Sequence, residues 1–221
     1  MSKKKGFDVE DAYALRTPDD SIRLYGEWAP TYDSDFVKAS AYILYRNIAG
    51  LLLERKSMID GVVLDVGCGT GMVGEHLHKG GMEDIDGIDI SLQMLAEAGN
   101  KMTTDGNAVY RNLFAADLTT DLELDDDQYA GLVSAGTFTH GHLGPDSLNE
   151  LWRIAAPGAI CAIGVRSTHF ESMRFGKALS AAVRNRLISE PEFVEVNIYS
   201  EEADDIEHAN DKARVILCQV I

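Results

Sequence analysis

From Val62 onward, short apolar runs alternate with amphipathic stretches. Val62–Val66, Ile85–Ile90, about Ala108–Ala115, Tyr129–Ala135 and Ala159–Val165 read as buried strands bounded by turn residues. Helical spacing falls between them. Met72–Lys79 is stopped by Gly80-Gly81, and a second helix runs from an N-cap at Ser91 through Ala98 to Gly99-Asn100. Asp146 is placed to cap a helix through Ala155, Pro157-Gly158 turns the chain, and a long helix fits Phe170–Ile188. Strands spaced by helices predict βαβ units, right-handed crossovers and a doubly wound α/β fold with a mostly parallel sheet. The ending breaks this rhythm. Glu192–Tyr199 alternates, with Val194, Val196 and Ile198 on one face, and Ala213–Ile221 is apolar. Separated only by Glu201–Asp211, these two are expected to pair as a hairpin and make one edge antiparallel.

Ahead of this core, residues 1–20 are polar and end in an expected turn at Pro18-Asp19-Asp20. A short helix is expected over Ser21–Trp28. Phe36, Ile43, Leu44, Ile48, Leu51 and Leu52 lie near the spacing of a second one. The pattern divides the chain into a tail and helical cap over 1–56 and an α/β core over 57–221.

Charge narrows the function classes. With 20 basic and 36 acidic side chains the net charge is −16, which argues against coating a nucleic-acid backbone. No apolar run reaches a membrane span, and the basic Lys3-Lys4-Lys5 is not followed by the apolar stretch of a secretory leader. Cys68, Cys161 and Cys218 form an odd set without framework spacing, which suits reduced thiols and a cytoplasmic protein. The acidic runs Asp121–Asp127 and Glu201–Glu207 lack calcium-loop spacing and read as solvated connections, so no metal is expected.

Most of the chemical information sits in Leu64-Asp65-Val66-Gly67-Cys68-Gly69-Thr70-Gly71, a strand running into alternating glycines and then a helix. Such a turn lets a ligand approach the backbone beside a helix N-terminus. Two frames compete. Gly69, Gly71 and Gly74 satisfy G-x-G-x-x-G, with Asp89 at the spacing of a ribose-binding acid, as in nicotinamide-linked oxidoreductases. The other frame also uses Asp65 and Gly67. Its carboxylate at the strand end would repel a pyrophosphate but accept an ammonium or a sulfonium.

The second frame resembles the class I S-adenosylmethionine-dependent methyltransferases. Gly87-Ile88-Asp89-Ile90-Ser91, Ala116-Asp117-Leu118 and Ile154-Ala155-Ala156-Pro157-Gly158-Ala159 are similar to that family's later motifs, in order. Glu27–Asp33 and Ser134–His142 further resemble the Williams-Beuren syndrome region methyltransferase-like proteins. The resemblance implies a seven-stranded sheet with an antiparallel last strand, S-adenosylmethionine as methyl donor and S-adenosylhomocysteine as product. It assigns donor binding to Asp65, Gly67, Gly69, Gly71, Met94, Ser134 and Gly136, with Asp89 on the ribose, Ile90 on adenine and Ala116, Asp117 and Leu118 about the adenine amine. Tyr25, Trp28 and Tyr32 are expected to close over the methionine end and screen the sulfonium.

The acceptor is expected beside Gly136–Pro145, which lacks the Asn/Asp-Pro-Pro-Tyr/Phe element that holds planar amino groups. Its absence counts against adenine, cytosine or glutamine nitrogen as the acceptor, and so against DNA modification. The acceptor is expected to be a small molecule ahead of an exposed protein group, with neither nucleic acid nor membrane as a partner. His140 and His142 are the titratable residues there and the candidate general bases, with His140 the leading one. Loop histidines that merely bond backbone remain the plainer reading. A non-catalytic donor-binding module remains a third.

Overall fold

The computed structural model describes Ala12, Leu15 and residues 17–38, 40–201 and 210–221. Most of the polar tail and of the run Glu201–Glu207 lies outside the described residues. Seven strands form one sheet: β1 (Val63–Val66), β2 (Ile85–Asp89), β3 (Asn112–Ala115), β4 (Tyr129–Phe138), β5 (Ala155–Arg166), β6 (Glu192–Asn197) and β7 (Lys212–Gln219). Their order is β3-β2-β1-β4-β5-β7-β6. The first five strands are parallel, while β7 runs antiparallel to both β5 and β6. The chain thus reverses direction across the sheet between β1 and β4. A crevice opens there at the carboxyl ends of the strands, the usual place for a ligand in such folds.

Eight residues of β1 and β2 are buried on both faces, as a central parallel sheet requires. On one face Ile48, Ala49 and Leu52 of α2 (Leu44–Leu53) pack with Val63, Ile85, Val133 and Ala162; α3 (Met72–Lys79) and α4 (Leu92–Gly99) complete that layer. The other face is covered by α5 (Leu148–Ile154), α6 (Ser167–Ser172) and α7 (Phe175–Arg184), with Phe138, Trp152 and Phe175 at its centre. Because α2 is part of the core, the packing does not divide at residue 56.

Local chemistry moved several element boundaries. Pro18-Asp19-Asp20 opens α1 (Pro18–Trp28) rather than forming a turn. Thr17 caps it by accepting the Asp20 N–H, Pro18 needs no intrahelical partner, and the acids face the positive end of the helix. The helix expected over Phe36–Leu52 is split. A π-turn covers Tyr32–Lys38, and beyond it Ala41, at a φ of +52°, cannot continue a helix. Likewise Arg174, at φ +58°, separates α6 from α7. Asp146 lies in a short 3-10 turn and caps nothing; Ser147 precedes α5. Pro157-Gly158 sits inside β5, at a register shift against β4 where the missing N–H is tolerated. Among the described residues no helix is long and apolar enough to cross a membrane.

Candidate functional site

The loop after β1 is shaped by neighbours as much as by any ligand. Gly67, Gly69 and Gly71 all have positive φ. At Gly67 a Cβ would strike Thr137, and at Gly71 it would sit 2.9 Å from the Tyr110 ring; only at Gly69 does it meet open space. The loop is pinned to the end of β2, since the Gly67 and Cys68 N–H groups both donate to the Ile88 carbonyl. Gly67 and Gly69 both line the cradle beside the loop, and of the three glycines only Gly69 would put a side chain into open space.

That cradle is a cavity of about 260 Å³ at the β1–β4 crevice. Asp89, at the tip of β2, presents its carboxylate there. One oxygen accepts the Gly69 N–H and the other the Ser91 N–H, both at 2.9 Å. Burial raises the pKa of this carboxyl, and those backbone donors oppose the rise. Each oxygen keeps a further acceptor site, as a ribose diol requires. Ile90, Met94 and Leu118 supply an apolar slot beside it. Asp117 joins the wall, its Oδ1 fixed by the N–H and hydroxyl of Thr119 at 2.8 and 2.7 Å. No Lys or Arg is found among the residues lining this cavity. The donor set therefore fits a nucleoside with a cationic centre and offers a pyrophosphate no counter-charge.

Five expected donor contacts, Asp65, Gly71, Ser134, Ala116 and Trp28, fall outside this wall. Asp65 is wholly buried beneath the loop. The Tyr110 hydroxyl donates to its Oδ2 at 2.7 Å, and its Oδ1 has no hydrogen-bond partner. Burial pushes its carboxyl up to about 7. The Tyr110 ring lies against Gly71, Gly74 and Gly87 and holds Asp65 beneath the loop. Ser134 is also buried, donating to the Val66 carbonyl at 2.8 Å and so tying β4 to β1. Ala116 contributes its N–H to the Asp89 carbonyl rather than a surface to the cavity. Gly71, as its neighbours dictate, also packs away from the cavity.

The cap brings in what its sequence did not advertise. Tyr25 and Tyr32 line the large cavity, and Tyr42 and Tyr45 join them although neither was singled out by any motif. Asp33 locks the cap onto the glycine loop. It accepts the Thr70 hydroxyl at 2.6 Å and a charged bond from Lys101. Beyond Tyr25, Tyr32, Tyr42 and Gly136, which line both, a second cavity of about 60 Å³ continues under α1. Trp28 faces that second cavity rather than the donor cleft, packing edge-on to Tyr32 at 5.0 Å. Gly136, at φ +87°, lies where β4 slips register against β5, a bulge that aims Ala135–Thr137 at the crevice.

The two histidines separate, in the reverse of the expected ranking. His140 lines neither cavity; its Nε2 pairs with the Thr168 hydroxyl at 2.9 Å and its ring stacks edge-on to His169. His142 lines the large cavity, with Nε2 2.9 Å from the Tyr25 hydroxyl and Nδ1 2.9 Å from the His140 carbonyl. Burial lowers its pKa, partly offset by that carbonyl. Cys68 also faces the cavity, but burial beside Asp65 and Asp89 pushes its thiol up, away from a nucleophilic thiolate.

Residues 63–158 match a methyltransferase domain family. Human methyltransferase-like protein 27 is 25% identical over 181 residues, covering 79% of this chain and 69% of its own. A SAM-dependent methyltransferase from Aquifex aeolicus superposes with a TM-score of 0.59 at 20% identity, covering 88% of this chain and 98% of that one. The [4+2]-cyclase SpnF superposes with a TM-score of 0.65 at 15% identity, covering 93% and 97%. At these identities the superpositions establish the fold.

Proposed function

We propose that this chain, a class I S-adenosylmethionine-dependent methyltransferase, moves the donor's methyl group onto a small molecule bound under its N-terminal helix. The observation that carries the acceptor class is the second cavity. It adjoins the donor cleft, shares four wall residues with it and lies beneath α1, where a single small compound fits and a folded protein surface does not. A net charge of −16 and a donor cleft lined by no Lys or Arg argue against nucleic acid or an anionic membrane as the partner. The proposed setting is the cytoplasm, in keeping with three cysteines that are buried and free.

The bound donor supplies a methyl group on a sulfonium, a leaving group already activated by its charge. What remains for the protein is positioning and exclusion of water. Asp89 and Asp117 are assigned to the nucleoside, with Ile90, Met94 and Leu118 against the base and the Gly69 backbone beneath it. Asp33, bonded to Thr70 and Lys101, holds the cap down over the cleft. Tyr25, Tyr32 and Tyr42 stand between the two cavities, where their π faces favour a cationic centre.

Incubation with methyl-labelled S-adenosylmethionine and a cell extract, split into small-molecule and protein fractions, tests the reading. Label is expected in the small-molecule fraction. Label confined to protein refutes the acceptor class.

A further inference from the structure

The second cavity has a definite chemical character. Tyr25, Trp28, Tyr32, Tyr42 and Tyr199 wall it, and the Tyr42 and Tyr199 rings meet edge-on at 6.0 Å. The charged residue at its margin, Arg166, is bonded to Asp211 at 2.6 Å, so its charge is already matched. At about 60 Å³ the space alone is smaller than a ring, but it opens to the donor cleft past the four shared wall residues, so one edge of a small flat ring can enter it. Aromatic walls around such a space suit a flat aromatic ring.

At the mouth of this cavity the hydrogen bonds fix a tautomer. A carbonyl only accepts, so the contact with the His140 oxygen places the ring hydrogen of His142 on Nδ1. Nε2 is then the basic nitrogen, and the Tyr25 hydroxyl donates to it. Tyr25 also lines both cavities. The groups facing His142 are Tyr25 from α1, the His140 carbonyl from its own loop and the His169 ring from α6. Among the described residues no carboxylate hydrogen-bonds to this imidazole, and the neutral base is the form burial favours.

We propose that Tyr25 and His142 form a proton relay and that the acceptor is a small phenol whose ring lies across the opening between the two cavities, with its edge in the aromatic one. This rests on the methyltransferase reading above. As the phenol oxygen forms its bond to the methyl carbon, the carbon–sulfur bond breaks and its electron pair stays on sulfur, leaving a neutral thioether. The phenol proton passes to the Tyr25 oxygen while the Tyr25 proton passes to His142 Nε2, giving an imidazolium that still donates from Nδ1 to the His140 carbonyl. A neutral amine or a thiolate needs no such relay. Tyr25 touches the acceptor; His142 acts through it as a positioning base.

4-Nitrophenol, whose phenolate absorbs in the visible, reads the relay without turnover. Titrated into the protein loaded with S-adenosylhomocysteine, it is expected to ionise about one pH unit or more below its free value, because the imidazolium stabilises the phenolate. Tyr25→Phe and His142→Gln should bind it but return its ionisation to the free value. A second readout uses phenol and thiophenol at about pH 8, where the phenol keeps its proton and the thiophenol has lost it. His142→Gln should slow methylation of phenol by ~10²-fold and of thiophenol only a few-fold. An unshifted ionisation in the wild type, or equal losses on both acceptors, overturns the relay. Methylation of small amines or thiols but no phenol overturns the relay and leaves the small-molecule reading standing, whereas methylation of protein alone overturns both.

Discussion

Asp65 gives a pH dependence that follows from its surroundings. The carboxyl is completely buried, with one oxygen bonded by Tyr110 and the other without a partner, and its pKa rises from 3.8 to about 7. The cause is desolvation first, reinforced by the charge of Asp89 and only partly offset by the bonds from Tyr110 and the Gly74 backbone. The unfolded chain releases this proton near pH 3.8 while the folded chain holds it to about 7. Between those values the folded state binds the extra proton, so stability is greatest below 3.8 and falls as pH rises through 7. At ~1.4 kcal/mol per unit, the full swing is ~4 kcal/mol. Urea unfolding of wild type and Asp65→Asn at intervals from pH 4 to 8 isolates the effect, because the amide keeps an acceptor for Tyr110 but does not titrate. The variant should gain on the wild type by several kcal/mol across that range, with the steepest gain between pH 4 and 7. Parallel stability curves refute the buried, neutral carboxyl.

Three further outcomes are expected. Asp89→Ala removes an acceptor of two charged hydrogen bonds worth ~1.5–3 kcal/mol each and should weaken S-adenosylhomocysteine at least tenfold by calorimetry; unchanged affinity in a folded variant removes Asp89 from the site. Gly69→Val should abolish donor binding and retain the circular dichroism spectrum, at ~1–2 kcal/mol of stability for a branched residue at φ +53°; normal binding would make the loop a packing turn. Asp33→Ala cuts the cap's bonds to Thr70 and Lys101 and should raise amide exchange across Pro18–Trp28 and speed donor release, with at most ~1 kcal/mol lost globally. Unaltered exchange would show that the aromatic packing of the cap suffices.

The core was legible because parallel strands buried on both faces have little choice of composition. Val62–Val66 and Ile85–Ile90 announced themselves, and the helix after the second starts at a capping Ser91. Asp89 and Gly69 were legible for a related reason, since a ligand loop constrains spacing. What escaped was set by contacts distant along the chain. No local pattern tells that Tyr110 reaches beneath the loop to Asp65, or that this ring, and not a ligand, excludes a side chain at Gly71 and Gly74. Tyr42 enters the site because a positive φ at Ala41 breaks the helix and swings its ring against Tyr199, and composition favours no such break. The histidines were ranked by position alone, whereas His140 turns to Thr168 and His142 to Tyr25 through bonds more than twenty residues away.

The central claim is that the crevice between β1 and β4 holds a sulfonium nucleoside. Calorimetric titration of the full chain with S-adenosylhomocysteine, S-adenosylmethionine, NAD and NADP tests it most directly. Saturable one-to-one binding of the first two, weakened at least tenfold by Asp89→Ala, with no heat from either dinucleotide, is the predicted result. Binding of NAD or NADP in place of the adenosyl compounds would contradict it.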